Sequence, residues 1–244
     1  MKIAVIPDTQ VKPGIRLDHL HRVGRYIADK RPDVIVHLGD HADMPSLSSY
    51  DKGKRDFEGR RYVKDIAAAR LGMEVLMAPI REAKDYRPRL VLTLGNHEER
   101  INRAANDAAE LDGLISVEDL EYEAHGWEVY PFLKPVVIGG VVFCHYLTSG
   151  VMGRPITTAN ALLTKRHMST VVGHQQGFQM ATAVRADGKM LTGIIAGSCY
   201  EHDEGYLGPQ GNNHYRGMLM LHEVTDGQFD VMPVSLGYLN RRYK

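Results

Sequence analysis

Cysteine is almost missing from this chain: Cys144 and Cys199 are the only two among 244 residues. A disulfide between them is open on sequence grounds, but so sparse a pair reads more naturally as reduced, buried thiols of a cytosolic protein. Long apolar runs are missing too, and none approaches the roughly 20 residues that a membrane-spanning helix requires. The N-terminal run has one lysine and about five apolar residues before Asp8, short for a signal peptide. Net charge is also absent, since 30 lysines and arginines balance 30 aspartates and glutamates. No global field therefore draws the protein to nucleic acid or to an anionic membrane, although a local patch stays open. A cytoplasmic protein with no membrane partner is expected.

What is present suits a sizeable core. Hydrophobic residues make up 43% and charged residues 25% of the chain, ordinary values for one large α/β domain. Residues 3–7 read as a buried strand. Leu17, Leu20, Val23, Ile27 and Ala28 recur at helical spacing, and Lys30-Arg31-Pro32-Asp33 ends that helix. A second strand over 34–38 stops at Gly39-Asp40. Strand, helix and strand in so short a span form a βαβ unit, which implies parallel strands. The spacing next predicts a helix over 60–85 with a break near Gly72, a strand over 89–94 and a helix from Glu98 to Ala109. Ser116 and Asp119 have the spacing of a capping box.

The second half changes character. Short β-rich runs occur at 127–130, 136–144, 170–172, 178–185, 189–196, 215–224 and 229–236, with one helix near 157–168. Asp187-Gly188 and Asp226-Gly227 are hairpin turns between two pairs of these runs. The expectation is a single domain over 1–244, with a parallel N-terminal half, an insertion at about 44–88 and a more antiparallel C-terminal half.

Five strand ends carry similar punctuation: Asp8-Thr9-Gln10, Gly39-Asp40-His41-Ala42-Asp43, Gly95-Asn96-His97-Glu98, Cys144-His145 and Gly173-His174-Gln175-Gln176. Ligands of parallel α/β sheets bind outside the carboxyl ends of the strands, so these side chains point to one crevice. Any one of them is ordinarily a cap, a turn residue or a core histidine. All five in this order are hard to explain that way. The set resembles the calcineurin-like metallophosphoesterase superfamily, whose ordered blocks are Asp-x-His, Gly-Asp-x-x-Asp, Gly-Asn-His-Asp/Glu, a lone His and Gly-His-x-His. The resemblance spans residues 8–176. It implies an α/β fold with a two-sheet β-sandwich flanked by helices, in four αββα layers, and a two-metal site at one end.

Carried over by position, the resemblance implies a second metal site of Asp40, Asn96, His145 and His174, all of them present. The first site would use Asp8, Gln10, Asp40 and Gln176, with Asp40 shared between the ions. Positions 10 and 176 are ordinarily histidine, and here both are glutamine. A glutamine offers a hard carbonyl oxygen in place of an imidazole nitrogen, which favours Mn²⁺, Mg²⁺ or Ca²⁺ over Zn²⁺, Fe or Ni²⁺. Two divalent ions are expected, Mn²⁺ before Mg²⁺, Ni²⁺, Zn²⁺ or Fe, with a weaker first site. A single ion in the second site is the alternative.

The implied reaction is hydrolysis of a phosphoester, a diester before a monoester, with His97 as general acid and Asp43 orienting it. In the protein-phosphatase branch an arginine follows the residue matching Asp43, whereas this chain has Met44. Phosphate binding then falls to Asn96, His97, Arg100 and Arg216. Nucleic acid or a nucleotide is an open substrate class. Residues 52–64 hold six lysines and arginines against two acids, with Phe57 and Tyr62 interspersed, and read either as a contact strip or as a solvated surface. Residues 200–217 form a polar, glycine-rich rim or an ordinary loop. The rival reading is a binding module on the same fold with a weakened site.

Overall fold

The computed structural model describes residues 1–244, the side chain of Tyr206 excepted. The chain runs β1 (Ile3–Ile6), α1 (Asp18–Lys30), β2 (Val34–His37), α2 (Tyr62–Glu82), β3 (Arg89–Thr93), α3 (Glu99–Asp107) and β4 (Glu128–Tyr130). There follow β5 (Val136–Ile138), β6 (Val141–Cys144), the short β7 (Thr148–Ser149) and β8 (Arg154–Pro155), α4 (Ala159–Arg166) and β9 (Thr170–Val172). The last elements are β10 (Gln179–Val184), β11 (Met190–Ile195), the single turn α5 (Gly208–Gly211), β12 (Gly217–Thr225), β13 (Gln228–Ser235) and α6 (Leu236–Arg242).

Six strands form one sheet in the order β13-β12-β1-β2-β3-β4, and five form the other in the order β10-β11-β9-β6-β5. The central strands are apolar on both faces, because each face meets a different core. Ala4 and Ile6 of β1, Ile35 of β2 and Leu92 of β3 face α1, α2 and α6. Their neighbours Ile3, Val5, Val34, Val36 and Val91 face the second sheet. A third apolar layer joins that sheet to α4 through Val142, Val172, Ile195 and Leu162. Period-two alternation inside continuous apolar runs thus yields helix, sheet, sheet, helix.

The four strands β1 to β4 are parallel, and β12 joins β1 antiparallel. In the second sheet β9 pairs parallel with both β6 and β11, and only the edges β5 and β10 are antiparallel. The C-terminal half is therefore more antiparallel than the N-terminal half, as expected, with β9 supplying two parallel pairings inside the second sheet. Both Asp-Gly hairpins form, and a third turn at Gly139-Gly140 divides the 136–144 run into β5 and β6. Helix α2 passes through Gly72 without a break. A Cβ there would lie 2.9 Å from Val11 and 3.4 Å from His41, so this glycine serves close packing rather than a kink. The capping box at Ser116 and Asp119 closes a 3₁₀ turn over Val117–Leu120. Cys144 and Cys199 are buried free thiols, and no helix among the described residues is long and apolar enough to cross a membrane.

His19 lies in the first turn of α1, fully buried, with no protein partner for either ring nitrogen. Burial lowers its pKa to about 4, against about 6.5 for an unfolded chain. The folded protein therefore holds the ring neutral, and the unfolded chain takes up the extra proton as pH falls through this window. Stability from this group is complete above pH 6.5 and declines toward pH 4, at up to about 1.4 kcal/mol per pH unit. His19→Leu is expected to reduce by one the protons taken up on unfolding across that window. Urea unfolding at a series of pH values checks this, and an unchanged slope counts against the assignment.

Candidate metal centre and active site

The parallel strands place their carboxyl ends on one edge of the sandwich. Asp8 and Gln10 follow β1, Asp40 and Asp43 follow β2, and Asn96 and His97 follow β3. From the second sheet His145 follows β6 and His174 follows β9. Backbone bonds zip these loops together: Gln10 N donates to the Asp40 carbonyl at 2.9 Å, Val11 N to that of His41 at 2.7 Å, and Gly173 N to that of His145 at 2.9 Å. Gln10, Asp40 and His174 all have left-handed backbone, with φ of 42°, 48° and 66°. Non-glycine residues seldom adopt this conformation, and it clusters at sites where side chains must be aimed. Gly95 allows the closest approach, since a Cβ there would lie 2.1 Å from Asp40 Oδ1.

Asp40, His145 and His174 present ligand atoms that all lie within 4.8 Å of one another. His145 Nδ1 lies 2.7 Å from the Leu38 carbonyl, which can only accept. Nε2 therefore faces Asn96 Oδ1 at 2.9 Å and Asp40 Oδ2 at 3.3 Å. Three electron-pair donors so focused require a positive charge between them. Burial disfavours a charged His145, yet Asp40 and then Asp8 outweigh it and push the pKa up to about 9. On the other side of Asp40, Asp8 Oδ2 and Gln10 Oε1 are buried with no protein hydrogen-bond partner. Burial raises Asp8 to about 7, with His145 opposing and Asp40 adding to the rise. These donors fit divalent cations in chemistry and in their unmet need for charge. Gln176 differs from Gln10, because its side-chain oxygen accepts from Tyr200 Oη at 2.8 Å.

His97 adjoins this centre. Its Nε2 lies 3.7 Å from Asp40 Oδ2, and its Nδ1 lies 2.8 Å from Asp43 Oδ1. At 2.8 Å this contact becomes an ion pair when the ring carries its second proton. Burial favours neutral His97, but the two aspartates prevail over burial and Arg100 and raise its pKa. Asp43 is held below the usual carboxylate range, with His97, Lys12 and Arg100 overcoming its burial. His174 has no such carboxylate contact, and burial with the His145 charge lowers it to about 4. Arg100 Nη1 donates to the Asp43 carbonyl at 2.6 Å while Nη2 lies 3.2 Å from His97 Nε2.

Not every residue expected at the site lies there. Arg216 donates to the Glu201 carbonyl at 2.7 Å and to Asp203 at 2.9 Å, and stacks over Tyr200. It braces the 200–217 loop and is not among the residues lining the cavity. Lys12 does line it. Its ammonium pairs with Asp43 at 3.2 Å and Glu204 at 2.5 Å, and His202 approaches the same Glu204 oxygen at 2.7 Å. Nothing in the sequence singles out this lysine, because its partners lie 31 and 192 residues away along the chain. Thr9 was likewise hidden. Its hydroxyl lies 2.8 Å from His41 Nδ1 and 3.3 Å from His37 Nε2. His41 Nε2 donates to the Ala69 carbonyl at 3.0 Å and Gly39 N donates to His37 Nδ1 at 3.2 Å. The chain of bonds fixes both tautomers as neutral rings, and burial lowers both pKa values, that of His41 to about 4.

The model describing the calcineurin-like phosphoesterases matches residues 1–177. The chain is 29% identical over 191 residues to the Gene 54 protein of Mycobacterium phage D29, covering 74% of this chain and 72% of that one. Identity to the Gene 54 protein of Mycobacterium phage L5 is 28% over 191 residues, with the same coverage of 74% and 72%. Among solved structures, Yfce, a phosphoesterase from E. coli, aligns at 15% identity and a TM-score of 0.41, covering 97% of this chain and 100% of that one. A conserved Streptococcus pneumoniae protein aligns at 11% identity and a TM-score of 0.33, covering 96% of this chain and 97% of its own. Because the matched family model runs through every strand end that feeds the cavity, from Asp8 to Gln176, the chain belongs to the calcineurin-like phosphoesterase family.

Proposed function

We propose that this protein hydrolyses phosphodiesters with the help of divalent metal ions. The observation that carries the reading is the contact between His97 and the centre: an imidazole with its own aspartate at 2.8 Å lies 3.7 Å from Asp40. Asp40, Asn96, His145 and His174 would hold one ion, and Asp8, Gln10, Asp40 and Gln176 the other. Bound there, such ions supply Lewis acidity toward phosphoryl oxygens and lower the pKa of water from about 15.7 toward about 7. His97 holds a proton at Nε2 for the departing oxygen, and Asp43 stabilises the imidazolium from the Nδ1 side. Arg100, 3.2 Å from Nε2, is placed to meet an anionic oxygen on the same face. Met44 is fully buried in the apolar core, so the position after Asp43 supplies no cation. A doubly charged monoester has correspondingly less to hold it than a diester.

The Tyr200 hydroxyl on Gln176 favours a second reading, in which one ion binds tightly at the histidine-bearing half and the other half binds weakly. Calorimetric titration with Mn²⁺ separates the two. His174→Ala is expected to abolish the tight step, and Gln10→Ala to affect only a weaker one. An unchanged tight step in His174→Ala overturns the ligand assignment.

Changing both glutamines to histidine is expected to raise the affinity of the weaker half for Zn²⁺ or Ni²⁺. Each single change should do less than half as much, since ligands of one ion are coupled. Titration of the two single variants and the double variant checks this, and strictly additive gains place the two side chains on different ions.

His97→Ala is expected to keep metal binding and to lower turnover by about 10²- to 10⁴-fold. The loss should shrink for an aryl diester with a good leaving group, which departs without a proton. Steady-state rates on aryl diesters of graded leaving-group pKa give the answer, and an equal loss across the series removes His97 from the role of acid.

A further inference from the structure

The basic stretch that the sequence left between a contact strip and a solvated surface turns out to wall the cavity. The cavity measures about 1000 Å³, the upper end of the roughly 300–1,000 Å³ typical of small-molecule sites. A single phosphoryl group fills little of it. The metal-centre residues and His97 lie on one side, and Tyr50, Lys54, Arg60, Arg61 and Lys64 lie on the wall that residues 50–64 contribute.

The charges on this wall do not cancel. Asp51 is shared by Lys54 at 3.1 Å and Arg60 at 2.8 Å, which leaves one positive charge among the three. Asp65 is engaged by the Ser46 backbone N–H at 2.8 Å. Among the described residues, Arg61 donates only to the Arg60 carbonyl, at 2.7 Å, and Lys64 forms no ion pair. Glu58 and the adjoining Asp65, whose hydrogen bond leaves its charge uncancelled, are the other carboxylates here, so four cations face three acids and positive charge stays in surplus. Beside it the Tyr50 ring is 81% exposed. Side-chain burial gives no reason for a large aromatic to stand in solvent there. Cations that track phosphates beside an open aromatic face are the chemistry that grips a single nucleic-acid strand, the ring stacking a base of any identity.

We propose that the 50–64 wall is a subsite for single-stranded nucleic acid, with Tyr50 stacking a base and Arg61 and Lys64 holding phosphates that flank the one at the metal centre. The assignment rests on the phosphodiesterase reading and names its substrate class. The surplus is local, which is how a chain of zero net charge can still bind a polyanion.

The test separates binding from turnover. Binding of a fluorescein-labelled single strand, as DNA and as RNA of one sequence, is read by anisotropy in the presence of chelator. Tyr50→Ala is expected to weaken the tighter of the two by about 5- to 150-fold, the range for loss of one stacked base. The Arg61→Ala, Lys64→Ala double variant should flatten the plot of log affinity against log salt by about 1.4, two cations at roughly 0.7 each. Hydrolysis of an aryl diester, which carries one phosphate and no base, should be unchanged in these variants with Mn²⁺ present. All three side chains are exposed, so the fold does not depend on them. A strand that fails to bind the unmodified protein, or binds the variants equally well, overturns the inference. So does inorganic polyphosphate that binds as tightly as the strand and loses nothing in Tyr50→Ala. If the strand-binding losses appear but the unmodified protein does not hydrolyse the aryl diester, the subsite stands and the phosphodiesterase reading falls.

Discussion

Glu98 is the side chain on which the geometry of the centre hangs. It is fully buried and accepts four hydrogen bonds, from the backbone N–H groups of Asp40 and Gly95 at 2.9 Å, from that of Ala42 at 3.0 Å, and from Tyr122 Oη at 3.1 Å. Two loops from different strands are thereby tied to one carboxylate. Burial and the neighbouring Asp40 push its pKa up, while three backbone N–H groups, which can only donate, favour the carboxylate form. Hydrogen bonds to a charged group are worth about 1.5–3 kcal/mol each, and these hold Asp40 in its left-handed conformation. The bond from His97 N to Asp40 Oδ1, at 2.9 Å, then joins the centre to His97.

The second constraint is the concentration of negative charge. Asp8, Asp40 and Asp43 are all buried, and burial alone would protonate each of them. They respond differently because their partners differ. Asp40 is held below the usual carboxylate range, burial being outweighed by His145 and His97, and Asp43 is held low by His97, Lys12 and Arg100. Asp8 has His145, the His174 N–H at 3.1 Å and its own backbone N–H to offset burial, and they do not suffice. The charge balance is thus best satisfied on the side of Asp40 that carries the histidines. It is least satisfied on the side that carries Gln10, where a neutral amide stands among acids. A site with that imbalance suits a cation beside Asp40, His145 and His174.

Lys12 and Glu204 extend the same network across the cavity. Through Asp43, Lys12 couples the His97 pair to the loop that follows β11, and His202 closes the far end on Glu204. Between the 50–64 wall and this loop the rim holds cations that are already paired, Lys12 with Asp43 and Glu204 and Arg60 with Asp51. The far walls of the cavity are therefore loops, whereas the candidate site residues sit on strand ends that two packed sheets hold rigid.

The amino-acid sequence by itself determined the strands, because continuous apolar runs ending in Gly-Asp, Gly-Asn-His or Gly-His leave few other structures. It also determined the order of the strand-end blocks, and with it the family and the four-layer fold. Such blocks are local patterns that need no knowledge of packing. Only the tertiary structure decided what those ends touch. The mixed second sheet arises because β9 lies between two parallel neighbours, β6 and β11, a pairing no local signal encodes. Glu98 was legible as a motif letter but not as a four-bond anchor. Lys12, Thr9 and Tyr200 were invisible, since each acts through a partner distant along the chain and their residue types are common on any loop. Arg216 looked like a phosphate ligand and instead braces its own loop, whereas the basic stretch at 52–64 reaches the cavity. In each case the reason is the same: sequence records which groups exist, and charge and hydrogen bonding act only between groups that folding has brought within a few ångströms of each other.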